Sequence, residues 1–72
     1  MRKDTLVCLG GAIARTRAER RLSVAELGRR AGVHPFYLWC IERGLCDLRF
    51  ATLCSIADAL EIELAALVKR AE

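Results

Sequence analysis

Residues 23–44 read SVAELGRRAGVHPFYLWCIERG, and the first ten of them carry the signals that begin and end a short helix. Ser23 and Glu26 have the spacing of a capping box, in which each side chain accepts a hydrogen bond from the other residue's backbone amide. Gly32 is free to adopt the left-handed conformation that ends a helix. The stretch therefore predicts a helix that is capped by Ser23 and ends at Ala31.

A second helix is predicted directly after this glycine. His34 stands at its cap, and Pro35 is favoured at the first helical position because an N–H group there has no intrahelical partner. Gly44 ends the helix as Gly32 ends the one before it. Two short helices at this spacing form a helix-turn-helix, a motif whose second helix fits the major groove of DNA.

The rest of the chain also predicts helices, because no segment shows the two-residue alternation of a strand. The other elements are a first helix from Thr5 to about Arg20, a loop from Leu45 to Arg49, a fourth helix from Phe50 to Leu60 and a last helix from Leu64 to about Arg70. We therefore expect an all-α fold of five helices, in a single helix-turn-helix domain over residues 1–72. Helices 2 and 3 form the motif.

The first helix contains an adjacent pair of glycines, Gly10 and Gly11. Each lowers helix propensity by roughly 1 kcal/mol. Close approach of another helix is the usual compensation, so we expect a neighbour to pack here. Leu6, Leu9 and Ile13 share one side of this helix at the spacing of an apolar stripe.

Basic residues are concentrated in the middle of a chain whose net charge is +3. Residues 15–49 contain eight arginines and four acidic residues, whereas residues 50–72 contain two basic and four acidic residues. A basic middle indicates a surface for a polyanion. The alternative is an ordinary solvated arginine-rich surface.

Several classes of function lack the residues they need. The chain has one His, no pair of carboxylates suited to a pocket and no phosphate-binding loop, so we do not expect an enzyme or a cofactor. No stretch reaches the roughly 20 apolar residues that span a membrane. The expected location is the cytoplasm, with no membrane partner.

From about Leu9 to Leu67, the chain resembles the Xre/Cro-repressor family of helix-turn-helix proteins. The matching positions are Leu22-Ser23, Glu26-Leu27, Ala31-Gly32-Val33, Tyr37-Leu38, Ile41-Glu42-Arg43-Gly44, Leu53 and Ile56-Ala57-Asp58-Ala59-Leu60. The resemblance implies a compact lambda-repressor-like fold that binds double-stranded DNA, usually as a dimer. In relatives an Arg late in helix 1 pairs with a Glu near the end of helix 3, which implies a structural ion pair between Arg17 and Glu42.

The resemblance also implies contacts with DNA phosphates at the start of helix 2 and the end of helix 3. The residues at these positions are Ser23, Val24 and Arg43, and Val24 stands where relatives often carry Gln. Arg49 also flanks the end of helix 3 and is a further candidate. Supporting candidates are Arg15, Arg20, Arg21, Arg29 and Arg30.

Contacts with bases are implied for the first turn of helix 3 and for the turn that follows. The matching residues are His34, Pro35, Phe36, Trp39 and Cys40. None is the Arg, Lys, Asn or Gln that makes paired hydrogen bonds with G or A, so apolar contact with thymine methyls and DNA shape remain. The alternative is that Phe36 and Trp39 are packed inside the fold, but helical phase directs Trp39 away from Leu38 and Ile41.

We therefore expect a sequence-specific transcriptional regulator, a repressor or autoregulator, that binds a palindromic operator as a homodimer with helix 3 in the major groove. Spare apolar residues predict its dimer interface, and they are Leu45, Leu48, Phe50, Leu64 and Val68. The alternative is a protein-interaction module, such as an antitoxin-like domain, that binds its partner through the apolar face of helix 3.

The four cysteines, which are Cys8, Cys40, Cys46 and Cys54, contain no C-x2-C pair, so no metal site is expected. Cys8 and Cys54 fall in helices and are interpreted as ordinary small apolar residues. Cys40 and Cys46 flank the end of helix 3 and should be partly exposed. They leave a thiol- or metal-responsive regulator as a further alternative.

Overall fold

The computed structural model describes residues 2–72, and all regular structure within them is helical. The helices are α1 (Lys3–Glu19), α2 (Val24–Ala31), α3 (Pro35–Glu42), α4 (Phe50–Ala59) and α5 (Leu64–Arg70). The predicted all-α fold of five helices is confirmed. The first helix begins two residues earlier than predicted, after a cap residue, Arg2, whose side chain makes no capping hydrogen bond.

One hydrophobic core joins the five helices. Its buried side chains are Leu6, Leu9, Ala12, Ile13, Leu27, Leu38, Ile41, Leu48, Leu53, Ile56, Ala57, Leu60 and Leu67. The third helix packs against α1 and α2, while α5 packs against α1 and α4. Helices this short depend on such packing for their stability. None of the helices in residues 2–72 combines the length and apolar character required to cross a membrane.

The loop between α3 and α4 contributes one of the core residues. Leu48 is only 6% exposed, so its prediction as a spare residue of a dimer interface is wrong. The hydroxyl of Tyr37 donates a hydrogen bond to the carbonyl oxygen of Asp47 at 3.1 Å. This bond ties the loop back to α3, and Leu48 completes the core beside it.

Helices α1 and α3 approach each other closely at Gly10. A Cβ atom there would lie 2.6 Å from the carbonyl oxygen of Glu42 and closer still to that of Ile41, so only glycine fits. A Cβ atom at Gly11 would meet only a guanidinium nitrogen of Arg15, at 3.4 Å. The predicted close approach is therefore confirmed at Gly10 and does not extend to Gly11.

The residues predicted to cap α2 and α3 form capping hydrogen bonds in the structure. The Ser23 hydroxyl accepts from the Glu26 amide, and the Glu26 carboxylate accepts from the Ser23 amide, both at 3.0 Å. At the start of α3, Nδ1 of His34 accepts from the Phe36 amide at 3.1 Å. After α3 the chain turns through Gly44, whose φ is 70°. These bonds fix both ends of the turn that separates the two helices.

Arg15 of α1 and Arg20, which caps that helix, hold the C-terminal ends of other helices. Arg15 donates to the carbonyl oxygen of Arg70, the last residue of α5, at 2.9 Å. Arg20 donates to the carbonyl oxygen of Leu60, which caps α4, also at 2.9 Å. Carbonyl groups at helix ends lack intrahelical partners and carry partial negative charge, which a guanidinium satisfies. Both arginines are supporting candidates for phosphate contact in the sequence. In the fold, their guanidinium groups stabilise helix ends.

Candidate nucleic-acid interface

The third helix is apolar on both of its long faces. Leu38 and Ile41 face the core and are buried. Phe36 is 68% exposed and Trp39 is 40% exposed on the other side, so the outward direction predicted for Trp39 is confirmed. The solvent-facing surface of α3 is therefore largely aromatic.

Three side chains of this surface stack on one another and form what we call the outward stripe: Phe36, Trp39 and Arg43. The ring centroids of Phe36 and Trp39 are 6.0 Å apart, and their planes are 10° from parallel. The guanidinium carbon of Arg43 lies 4.3 Å from the centroid of the Trp39 ring. The spacings of three and four residues bring these side chains together on one side of the helix. A positive charge is thereby held against an exposed aromatic surface.

The first turn of α3 exposes His34 and Pro35 beside Phe36. Because Nδ1 of His34 accepts the hydrogen bond from the Phe36 amide, the neutral imidazole carries its proton on Nε2. His34 therefore has one N–H group left to donate. Cys40, the last residue assigned to base contacts, is half-buried.

Arg17 and Glu42 form an ion pair between α1 and α3. The Nε–Oε2 distance is 2.7 Å and the Nη2–Oε1 distance is 3.0 Å, so the pair is bidentate. Arg17 also donates to the carbonyl oxygen of Leu22 at 2.9 Å, which adds the segment before α2 to the contact. The hydrogen bond from Arg17 to the Glu42 carboxylate raises the pKa of the Arg17 guanidinium. This ion pair fixes the position of α3 against α1 and the start of α2.

A groove of about 250 Å³ lies beside the outward stripe. It is lined by Ala14, Arg17, Val24, Trp39, Glu42 and Arg43. Two residues predicted for phosphate contact, Val24 and Arg43, therefore share one groove with Trp39. Ala14 was not predicted from the sequence as part of the site. Its small side chain, three residues before Arg17, is nevertheless a sequence signal for a groove on that side of α1.

The N-terminus of α2 meets solvent beside this groove. Ser23 is exposed, and its amide and hydroxyl both bond to Glu26. Within residues 2–72, no group accepts a hydrogen bond from the amides of Val24 and Ala25, as is usual for the first turn of a helix. Hydrogen bonds from the Ser23 amide and hydroxyl lower the pKa of the Glu26 carboxyl, which is therefore ionised at neutral pH. An anion at this position would meet two free amides and one neighbouring carboxylate.

The other arginines predicted for phosphate contact lie outside this groove. Arg49 is exposed at the N-terminal cap of α4. Arg21, Arg29 and Arg30 are exposed as well. Of the arginines near the end of α3, Arg43 borders the groove and Arg49 does not.

The residues predicted for a dimer interface differ in exposure. Leu45, Phe50 and Val68 are exposed, by 63%, 72% and 42%. Leu64 is half-buried against the core, so it is not a spare residue either. With Leu48 buried, three of the five predicted residues remain on the surface.

The cysteines show one departure from prediction. Cys8 is exposed, because helical phase turns it away from the side of α1 that carries Leu6 and Leu9, so its interpretation as an ordinary apolar residue is wrong. Burial raises the pKa of the Cys46 thiol, and Cys40 and Asp47 raise it further. A protonated thiol is a weak nucleophile and a poor metal ligand. Within the part of the chain described, no three His, Cys, Asp or Glu side chains are grouped closely enough to hold a metal ion.

Comparison with known proteins places this geometry in a family. A family model described as a helix-turn-helix domain matches residues 9–70, while no curated protein sequence matches the chain. The clp gene regulator ClgR from Corynebacterium glutamicum is 30% identical with a TM-score of 0.90, and the match covers 93% of this chain and 86% of ClgR. The restriction-modification controller protein C.AhdI from Aeromonas hydrophila is 29% identical with a TM-score of 0.84, covering 86% of this chain and 94% of C.AhdI.

A third solved structure contains DNA. It is the master regulator for biofilm formation SinR in complex with DNA, which is 32% identical with a TM-score of 0.77, covering 82% of this chain and 95% of SinR. These neighbours are regulators of the Xre/Cro type, and the residues matched by the family model, 9–70, include the segment of the sequence resemblance. The chain belongs to the helix-turn-helix domain family, as its own α2–turn–α3 segment predicted.

Proposed function

We propose that the chain is a transcriptional regulator, a repressor or autoregulator, that binds a palindromic DNA operator as a homodimer with α3 in the major groove. The observation that carries the proposal is the outward stripe, whose aromatic side chains project from α3 and remain 68% exposed at Phe36 and 40% exposed at Trp39. Specific recognition requires side chains that reach base edges. The residues proposed for this task are His34, Pro35, Phe36, Trp39 and Cys40.

The proposed phosphate contacts flank these residues. At the start of α2 the Val24 amide is free and Ser23 is exposed, and the guanidinium of Arg43 borders the groove that Val24 shares with Trp39. Arg49 adds a positive charge at the cap of α4. Contacts of this kind position a protein on the duplex without reading its sequence.

A homodimer is proposed because one short helix reads too few base pairs for useful specificity. A two-fold dimer reads two half-sites about one helical turn apart. Leu45, Phe50 and Val68 supply the exposed apolar surface for the interface. Sedimentation equilibrium at micromolar concentration should show a dimer, and Phe50→Glu should yield a folded monomer. A monomeric wild-type protein would overturn the dimer.

Selection of duplexes from a random library, at stated salt concentration, tests DNA binding itself. Arg43 and Arg49 from two protomers contact four phosphates, so the logarithm of affinity should fall with the logarithm of salt with a slope of about −3.6. Arg43→Ala removes two of these charges and should reduce the slope by about 1.8. Lys69→Ala is the matched control, because it removes the same charge from α5 and should leave the slope unchanged.

A second candidate function follows from the same aromatic surface. An exposed pair of large apolar side chains is also typical of a protein-binding site, so a protein-interaction module of the antitoxin type is the alternative. Failure to select any duplex would overturn DNA binding and favour this alternative. Binding to a protein partner would show little dependence on salt and would still require Phe36.

A further inference from the structure

The outward surface of α3 offers a base pair almost no hydrogen-bonding groups. Its helix reads PFYLWCIE, without the Arg, Lys, Asn or Gln that makes paired hydrogen bonds with guanine or adenine. The carboxylate of Glu42 is occupied by Arg17. The hydroxyl of Tyr37 donates to Asp47 at the side of the loop. Hydrogen bonding therefore cannot supply most of the sequence preference of this helix.

The polar groups at the two ends of the surface already have partners. His34 uses Nδ1 to cap α3 and retains a single donor on Nε2. The guanidinium of Arg43 lies over the ring of Trp39. Between them stand two nearly parallel aromatic rings, of Phe36 and Trp39, with much of their area in solvent.

In the major groove, the apolar group on the edge of a base pair is the C5-methyl of thymine. We propose that Phe36 and Trp39 recognise the C5-methyl groups of pyrimidines, so that the chain selects its operator through methyl groups on the DNA. The proposal rests on the proposed DNA binding and names what α3 reads there. Thymine and 5-methylcytosine both present this group, and either base is a source of it.

The position of Arg43 favours a duplex over an apolar protein partner. Its charge is held at the edge of the aromatic pair and borders the groove that contains the start of α2. An apolar peptide would have to remove water from this guanidinium without offering it a counter-charge. A duplex supplies a phosphate close to each methyl group, so the same complex satisfies the rings and the charge.

The test uses the full chain and a duplex obtained by selection. Each dT in turn is replaced by dU, which removes the methyl group and keeps every hydrogen-bonding group of the base. Affinity should fall about fourfold for each methyl in contact, the value expected for one buried carbon. Equal affinity for the dT and dU duplexes would overturn methyl recognition while leaving DNA binding intact. If no duplex is selected, the proposed function itself fails, and this inference fails with it.

A second arm distinguishes the two sources of the methyl group. At each sensitive position the T·A pair is changed to C·G, and the cytosine is then methylated at C5. Recovery of affinity on methylation assigns 5-methylcytosine as a ligand in addition to thymine. Sensitivity to dU without such recovery assigns thymine alone.

Protein variants link the effect to the aromatic pair. At the methyl groups that Phe36 contacts, Phe36→Ala should bring the dT-to-dU affinity ratio close to 1, whereas Phe36→Leu keeps an apolar group and should preserve most of the ratio. Val7→Ala is the control, since it removes exposed apolar surface from α1, where Val7 is 48% exposed, and it should leave the ratio unchanged. A ratio that survives in Phe36→Ala and in Trp39→Ala, with both variants shown to be folded by circular dichroism, would overturn the assignment.

Discussion

The inner and outer faces of α3 carry the same kind of side chain but are used in different ways. On the inner face Leu38 and Ile41 are buried, and the ion pair to Arg17 holds the helix against α1. On the outer face Phe36 and Trp39 are supported by each other and by Arg43, and much of their area is in solvent. An apolar residue is therefore not necessarily a core residue. Apolar surface that the fold leaves exposed is typical of a binding site.

The largest effect is expected where the inner face is fixed to α1. Glu42→Ala removes two charge-assisted hydrogen bonds from the part-buried Arg17, so the free energy of unfolding should fall by about 3 kcal/mol. Urea denaturation followed by circular dichroism measures this loss. Glu19→Ala is the matched control, because it breaks an ion pair with Arg70 on the exposed surface, and its urea midpoint should stay close to that of the wild type. Similar losses in both variants would contradict the role given to the Arg17–Glu42 pair.

Removal of one apolar side chain should lower the stability of the fold on the inner face of α3 and leave it almost unchanged on the outer face. Leu38→Ala empties a fully buried site and should lower the free energy of unfolding by about 2–5 kcal/mol. Phe36→Ala removes an exposed ring and should change it by no more than about 0.5 kcal/mol, while DNA binding weakens. Thermal unfolding of both variants, paired with a DNA-binding assay of Phe36→Ala, separates the two roles. A large loss of stability in Phe36→Ala would mean that the outer face also belongs to the core.

The adjacent glycines test the close approach of α1 to the inner face of α3. Gly10→Ala forces a methyl group against the backbone of Ile41 and Glu42 and should destabilise the fold by about 1–3 kcal/mol. Gly11→Ala meets no backbone and should stabilise it by about 0.4–1 kcal/mol, because alanine restricts the unfolded chain. Opposite signs are expected in one denaturation series. Equal changes in stability from the two substitutions would show that α1 and α3 do not approach each other closely at Gly10.

The smallest effect on stability is expected from the capping box of α2, next to the outer face of α3. Hydrogen bonds from Ser23 lower the pKa of Glu26 below its ordinary value of 4.5. The stabilisation is therefore fully present above that value and is lost as pH falls through the lowered pKa of the folded state. Glu26→Gln keeps the hydrogen bond to the Ser23 amide and does not titrate. Its Tm should decline less than that of the wild type between about pH 6 and about pH 3; parallel declines would remove Glu26 from the acid response.

Local signals predicted the elements that build the motif. The capping box at Ser23 and the glycine at position 44 act through neighbouring residues, so their effect could be derived without knowledge of the rest of the fold. Helical phase correctly directed Trp39 outward, and the same argument would have placed Cys8 on the exposed side of α1. Treating cysteine as a generic apolar residue obscured that signal.

Features that depend on the path of a loop could not be predicted in this way. Leu48 is a core residue only because the segment after α3 folds back on Tyr37, and no periodicity marks that turn. Arg15 and Arg20 looked like surface charges because the helix ends they hold lie 55 and 40 residues away in the chain. Their roles required tertiary structure.

Trp39 is the single tryptophan of the chain, so its fluorescence tests the position of the outer face on DNA most directly. Acrylamide quenching should be measured with and without a saturating amount of a selected duplex. If α3 lies in the major groove, the duplex should shield the indole and reduce the quenching constant, and high salt should restore it as the complex dissociates. An indole that is quenched equally well in the bound protein would contradict the placement of this face against DNA.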